Sequence, residues 1–188
     1  MNFRKILTIT LLSFSFAVYQ VGDQISQGDQ DRVFEVCYGA EHHGIEPVGG
    51  RYNLTLGDYN GFTNDTGIFY VLMIDMAASW WGPCWNNIGT MVGIEGYYED
   101  NPNVKIITNL DDIGQPYSCE QWGDRHQFYN PDVYPLMTND GNQDVLWSWL
   151  NTGGAFPSTA YIDHTMTVFF KGNNAQFGAA TATIDSML

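Results

Sequence analysis

Apolar positions divide the chain into alternating strands and helices. Residues 68–76 (IFYVLMIDM) and 104–109 (VKIITN) are nearly continuous runs of strand-forming residues, as is typical of strands buried on both faces. Between them, apolar residues at helical spacing predict a helix over about residues 84–98, after a Gly-Pro break at 82–83. Two buried strands joined by a helix indicate a parallel α/β unit.

The flanking segments have shorter and more polar patterns. Alternation over residues 52–56 predicts an edge strand, and residues 18–48 are polar, with one short strand expected near 33–37. After the second buried strand we expect, in order, a short helix capped by Ser118, an extended segment (VYPLMT), a short helix (DVLWSWL), a hairpin with strands at about 158–163 and 166–170, and a C-terminal helix. This order predicts an α/β fold with a mixed central sheet.

Composition and charge narrow the class of protein. The chain has 188 residues, with 44% hydrophobic and 15% charged residues, which fits one globular domain with a short extension. Its formal net charge of -14 would repel a phosphate backbone, so we expect no nucleic-acid partner.

The N-terminus has the pattern of a secretory signal peptide. A basic start is followed by an apolar stretch, and small residues at 15 and 17 mark a cleavage site after Ala17. We therefore divide the chain into a signal peptide (1–17), an N-terminal extension (18–48) and a main domain (49–188). The mature protein is expected to be exported, periplasmic or extracellular, and to meet a membrane only through this segment if the segment remains uncleaved.

The chain has three cysteines: Cys37, Cys84 and Cys119. An odd number leaves at least one thiol without an internal partner, and three are too few for a disulfide scaffold. Redox chemistry or a single bridge fits this count better. We expect Cys37 to be a buried or free thiol.

Three segments, in order, carry a family resemblance. Residues 56–61 (LGDYNG), 76–84 (MAASWWGPC) and 157–168 (PSTAYIDHTMTV) follow the patterns L-x-D-Y-x-G, F-x-A-S-W-C-x-x-C and P-T-x-x-x-I-D-x-x-x-x-V. The chain thus resembles the thioredoxin-like superfamily, and within it the exported redoxin branch of TlpA/ResA-type and peroxiredoxin-like proteins. The resemblance covers about residues 49–188 and implies a three-layer α/β/α sandwich. The departure is Trp81, which occupies the first cysteine position of the Cys-x-x-Cys motif.

The resemblance also implies roles for individual residues. Pro157 matches the cis-proline that lies opposite the Cys-x-x-Cys motif, and Asp75 matches a buried acid that assists proton transfer at the second cysteine. Asn87 stands where the ResA-type branch often has Glu, so that acid is missing. The substrate groove would be formed by Trp80, Gly82, Pro83 and Phe156.

Trp81 leaves three hypotheses open, because a tryptophan has no sulfur and cannot begin thiol–disulfide exchange. Cys84 could work with Cys119, which follows the second buried strand at the same sheet edge. Alternatively, the site is retired and the fold binds extended polypeptide as a redox-inactive module. Finally, position 81 could be a cysteine or selenocysteine whose codon was misread.

The resulting expectation is an exported thiol–disulfide oxidoreductase-like protein, acting in extracytoplasmic redox homeostasis. Its candidate catalytic residues are Trp81, Cys84, Cys119, Pro157 and Asp75. The expected partners are protein thiols or disulfides, or small peroxides, together with an unidentified reductase. We expect no cofactor and no metal, since Glu41-His42-His43 lacks further ligands at suitable spacing.

Overall fold

A single seven-stranded sheet forms the centre of the protein. The computed structural model describes residues 18–111, 116–139 and 144–188, so the predicted signal peptide lies outside the described residues. The strands are β1 (Phe34–Tyr38), β2 (Asn53–Leu54), β3 (Val71–Ala78), β4 (Val104–Asp111), β5 (Leu136–Asn139), β6 (Ser158–Ile162) and β7 (Val168–Asn173). The helices are α1 (Gln27–Gln30), α2 (Gly82–Tyr98), α3 (Cys119–Tyr129), α4 (Val145–Leu150) and α5 (Phe177–Asp185), with a 3₁₀ turn at Leu56–Tyr59.

The sheet is mixed, as the sequence predicts. Its strand order is β2-β1-β5-β4-β3-β6-β7. The three central strands β5, β4 and β3 are parallel, whereas β1, β2, β6 and β7 join by antiparallel pairing. All eight residues of β3 are buried, which explains its nearly continuous apolar sequence.

Helices cover both faces of the sheet. Alternate residues of β3 point to opposite faces. Leu72, Ile74 and Met76 join a core that includes α4, the 3₁₀ turn and the first described residues. Val71, Met73 and Ala77 join cores built with α2, α3 and α5. The result is the expected three-layer α/β/α sandwich.

The segment predicted as an N-terminal extension contributes to the sheet. Its strand β1 lies between β2 and β5. Ile25 is buried in the main core, and the Lys171 ammonium donates to the carbonyl of Tyr19. Residues 18–48 are therefore integrated with residues 49–188. Within the described part of the chain, no helix is long and apolar enough to span a membrane.

The start of α3 is fixed by a capping box. The Ser118 hydroxyl accepts a hydrogen bond from the backbone N–H of Gln121, and the Gln121 side-chain oxygen accepts one from the Ser118 N–H. The predicted N-cap is thus confirmed, and it makes Cys119 the first residue of the helix.

Candidate functional site

The turn from β3 into α2 holds the Trp-Gly-Pro-Cys segment. Trp81 is the N-cap residue of α2, with Pro83 in the first turn. The Trp81 N–H donates to the carbonyl of Ala78 at 3.1 Å, and the Trp81 carbonyl accepts from the Cys84 N–H at 3.0 Å. Trp81 makes no side-chain cap. The position that holds the first cysteine in the resembling family thus presents an exposed indole.

Pro157 lies beside the end of β3. The Phe156–Pro157 peptide bond is cis, and Ser158, the next residue, pairs with Met76 on β3. The Pro157 ring is buried. The Phe156 ring makes an edge contact with Trp80 at a centroid distance of 5.8 Å. The strand pairing therefore brings the proline segment next to the start of the Trp-Gly-Pro-Cys turn.

An aromatic cavity opens at this junction. Its volume is about 230 Å³, and its lining residues are Trp80, Trp81, Gly154, Ala155 and Phe156. Trp80 and Trp81 are 44% and 45% exposed, although both are large apolar side chains. Of the predicted groove, Trp80 and Phe156 line this cavity, whereas Gly82 and Pro83 are exposed outside it. Exposed aromatics around a concavity suit contact with a polypeptide.

Cys84 is in the first turn of α2 but faces the core. It is 2% exposed, and its sulfur accepts a hydrogen bond from the Ala78 N–H. Burial raises the pKa of its thiol to about 12, and the nearby charge of Asp75 contributes to the same effect. At neutral pH this cysteine is a protonated thiol, which is not an attacking group.

Asp75 lies in the middle of β3, beneath the turn. It is 3% exposed, and one of its carboxylate oxygens accepts a hydrogen bond from the Thr159 hydroxyl at 3.1 Å. Burial raises the pKa of Asp75 to about 7. A group with this pKa can exchange protons near neutral pH. The charge of Asp75 also contributes to the raised pKa of the Cys84 thiol.

Cys119 forms a disulfide with Cys37, with Cα atoms 6.2 Å apart, and Cys84 is the free cysteine. The hypothesised partnership of Cys84 with Cys119 is therefore wrong. Cys37, which we expected to be a buried or free thiol, is instead the residue bonded to Cys119. The physical reason is the position of α3 directly against β1. A Cβ atom at Gly123 would lie 2.4 Å from the Tyr38 ring, so only glycine permits this approach. The first turn of α3 thereby meets Cys37.

A buried contact between a histidine and a carboxylate lies in the same region, and neither residue has a role in the sequence-based prediction. His126 of α3 and Glu95 of α2 are joined by a 3.1 Å contact between Nδ1 and Oε2, with side chains 1% and 7% exposed. Both charges act on the pKa of Asp75, His126 lowering it and Glu95 raising it. Sequence analysis missed this contact because the two residues are 31 positions apart on different helices, and no local pattern relates them. Among the described residues, no group of three or more metal-ligating side chains could hold an ion.

Comparison with known proteins finds similarity to solved structures only. No protein-family model and no curated protein sequence matches the chain. A Bacteroides thetaiotaomicron protein assigned as a disulfide isomerase superimposes with a TM-score of 0.61 at 15% identity, covering 91% of each chain. A secreted disulfide oxidoreductase of Mycobacterium tuberculosis gives a TM-score of 0.57 at 8% identity, covering 86% of this chain and 99% of its own.

A third structure shares the same architecture. The thioredoxin domain of a thiol-disulfide oxidoreductase from Bacteroides vulgatus gives a TM-score of 0.54 at 12% identity, covering 88% of this chain and 98% of its own. At identities this low, the superpositions establish the fold alone, and the activity has to be argued from the residues of the site. The chain has the thioredoxin-like α/β fold.

Proposed function

We propose that the protein is an exported thiol–disulfide oxidoreductase-like protein, in which the Cys37–Cys119 disulfide is the redox couple. The observation that carries this proposal is the position of the bridge. Cys119 is the first residue of α3, at the sheet edge where β4 ends, and it shares a core cluster with Cys84 of α2. A thiol at a helix N-terminus is favoured as a thiolate, which suits it to reversible disulfide chemistry.

The Trp-Gly-Pro-Cys turn contributes no attacking sulfur to this function. Trp81 has none, and the Cys84 thiol is buried with a pKa of about 12. Peroxide reduction at this turn is disfavoured for the same reason, because that reaction begins with a reactive thiolate. Polypeptide thiols are the partners that we propose for the Cys37–Cys119 disulfide.

Export is supported by two observations. Residues 1–17 have the pattern of a signal peptide, and one structural relative is described as secreted. A persistent disulfide also fits an oxidising compartment. We place the protein in extracytoplasmic redox homeostasis, as an oxidant of polypeptide thiols. The reduced dithiol is then reoxidised by a separate electron acceptor, so the renewing partner is an oxidant and not the reductase expected from the sequence.

Single-turnover oxidation of a reduced peptide with two cysteines tests the proposal. The wild-type protein and the Cys84→Ser variant should each oxidise one equivalent of peptide. The Cys37→Ser/Cys119→Ser variant should oxidise none. Oxidation by the double variant, or its loss in Cys84→Ser with the bridge intact, would show that the redox couple lies elsewhere. Absence of exchange in the wild-type protein would refute the redox function itself.

A redox-inactive polypeptide-binding module is the second candidate function. It is favoured by the exposure of Trp80 and Trp81 around the cavity beside Pro157. In this alternative the Cys37–Cys119 bridge is structural, and the protein binds polypeptide through Trp80 and Trp81. Peptide binding without any thiol exchange would support it.

A further inference from the structure

We infer that basic polypeptide dithiols enter a groove beside Cys37, attack the Cys37 sulfur, and release Cys119 as the leaving thiolate. This inference rests on the proposed function and gives it a direction, an entry surface and a substrate class. The surface concerned is a groove at the end of β1, separate from the cavity lined by Trp80 and Trp81.

The two sulfurs of the bridge belong to residues of unequal exposure. Cys119 is 7% exposed and is part of the core cluster that contains Trp122 and Cys84. Cys37 is partly exposed and packs at the margin of that cluster. A disulfide is opened by attack along the accessible side of one sulfur. The difference in exposure favours attack on Cys37.

Cys37 lines a groove of about 560 Å³, which we name the tyrosine groove. It is lined by Val36, Cys37, Tyr38, Gly39, Ala40, Glu41, His42, Tyr52 and Tyr134. The Tyr52 hydroxyl is held by a 2.7 Å hydrogen bond to Glu41, and His42 stacks on Tyr134 at 4.3 Å. Its volume and aromatic walls leave room for the side chains of a polypeptide segment around the attacking thiol.

Negative charge surrounds the tyrosine groove. Glu41 lies in its lining. The Tyr38 ring packs against Gly123 and its hydroxyl donates to Gln127, so Tyr38 contacts α3, the helix that carries Glu120 and Asp124. Burial raises the pKa of Tyr38, and the charges of Asp124 and Glu120 raise it further. Glu120 directly follows Cys119, and both acids are exposed on α3. The whole chain has 21 acidic and 7 basic side chains, so a cationic segment is attracted at long range and in the groove.

The exchange balances in two steps. A substrate thiol loses its proton to solvent, and its thiolate bonds to Cys37 while the Cys37–Cys119 bond breaks and its electron pair leaves on Cys119. The N-terminus of α3 stabilises that thiolate. The second substrate thiolate then attacks the mixed disulfide and expels Cys37. The substrate becomes a disulfide, the protein becomes a dithiol, and the two protons are taken up by Cys37 and Cys119.

Charge preference in the wild-type protein is the first test. Peptides with the same Cys spacing but net charges of opposite sign are mixed with the oxidised protein at low ionic strength. The cationic peptide should be oxidised about tenfold faster or more, and the difference should shrink in high salt. If all peptides react at one rate, the redox function stands and the inferred substrate class is overturned. If none reacts, the proposed function itself fails.

Two double variants test whether the preference for cationic peptides arises at the tyrosine groove. Glu120→Gln/Asp124→Asn should lower the rate with the cationic peptide severalfold relative to the rate with the neutral peptide. Asp65→Asn/Asp100→Asn removes the same number of exposed charges elsewhere and should retain the preference. An equal effect of both variants would show that net charge, and not the tyrosine groove, sets the rate.

Single-cysteine variants test which of the two sulfurs a polypeptide can reach. Cys119→Ser leaves Cys37 free, and Cys37→Ser leaves Cys119 free. A cationic peptide activated as a mixed disulfide is added at a pH above the ordinary thiol pKa, where both cysteines are ionised and access decides the rate. Cys119→Ser should then form the protein–peptide adduct about tenfold faster than Cys37→Ser. Faster adduct formation at Cys119 would overturn the inferred direction. Circular dichroism checks that both variants are folded, and the wild-type charge comparison stands independently of them.

Discussion

The backbone N–H of Ala78, at the end of β3, donates a hydrogen bond to the Cys84 sulfur across 3.4 Å. This contact directs the side chain of Cys84 into the core beneath the Trp-Gly-Pro-Cys turn, where it is 2% exposed. Cys84, at the second cysteine position of the resembling motif, is therefore protected from reaction in two ways. It is buried, and burial raises the pKa of its thiol so that little thiolate forms.

Cys84 should resist alkylation in the folded protein. With a pKa near 12, the thiolate fraction at pH 8 is roughly one in ten thousand, so iodoacetamide labelling should be about a thousandfold slower than for an exposed cysteine. Mass spectrometry of the oxidised protein measures this directly. Labelling in concentrated urea should be rapid and serves as the control. Equal rates in both conditions would contradict the burial of Cys84.

Replacing Trp81 by cysteine should restore an exchange site at the turn. Position 81 is the N-cap of the 17-residue helix α2, and a thiolate there is favoured by the helix N-terminus. Trp81→Cys should form a bridge with Cys84 and reduce insulin disulfides faster than Trp81→Ser, which retains only the Cys37–Cys119 couple. If the cysteine variant is no more active than the serine variant, the site differs from the family frame in more than one residue.

The parts of the fold that the sequence predicts are those set by local pattern. β3, α2 and β4 follow from apolar periodicity, and the start of α3 follows from the capping residue Ser118. The bridge between Cys37 and Cys119 depends instead on β1 lying between β2 and β5, a long-range pairing. The close approach at Gly123 likewise becomes visible only when α3 lies on β1. Three cysteines alone could not distinguish the possible pairs.

Loss of the Cys37–Cys119 bridge should destabilise the folded protein. The bonded residues are 82 positions apart, and a cross-link across a loop of this length constrains the unfolded chain strongly. Cys37→Ser/Cys119→Ser should lower the free energy of unfolding by about 2–4 kcal/mol, measured by urea titration. Cys84→Ser is the matched control for loss of one buried thiol. A double variant as stable as the wild-type protein would show that the bridge has no structural role.

Asp75 should make stability fall as pH rises. Burial raises its folded-state pKa from 3.8 to about 7, so between these values the folded protein binds a proton that the unfolded chain has lost. The contribution is greatest below pH 4 and is lost towards pH 7, at up to about 1.4 kcal/mol per pH unit. Asp75→Asn should abolish this component. Urea unfolding of both proteins from pH 4 to 8 isolates it, because other carboxylates are common to both. Parallel stability curves would contradict the raised pKa.

If the protein is a redox-inactive polypeptide-binding module, Trp80 and Trp81 should carry the affinity for extended polypeptide. Both are nearly half exposed, and together with Phe156 they line the cavity beside Pro157. Because large aromatics dominate binding surfaces, Trp80→Ala/Trp81→Ala should weaken peptide binding about tenfold or more in calorimetry, with little change in stability. Phe169→Ala removes an aromatic of similar exposure, 42%, on β7 and should leave affinity unchanged. Equal loss in both variants would indicate nonspecific hydrophobic contact. If Trp80→Ala/Trp81→Ala keeps full affinity while Glu120→Gln/Asp124→Asn loses it, polypeptide binds at the tyrosine groove alone.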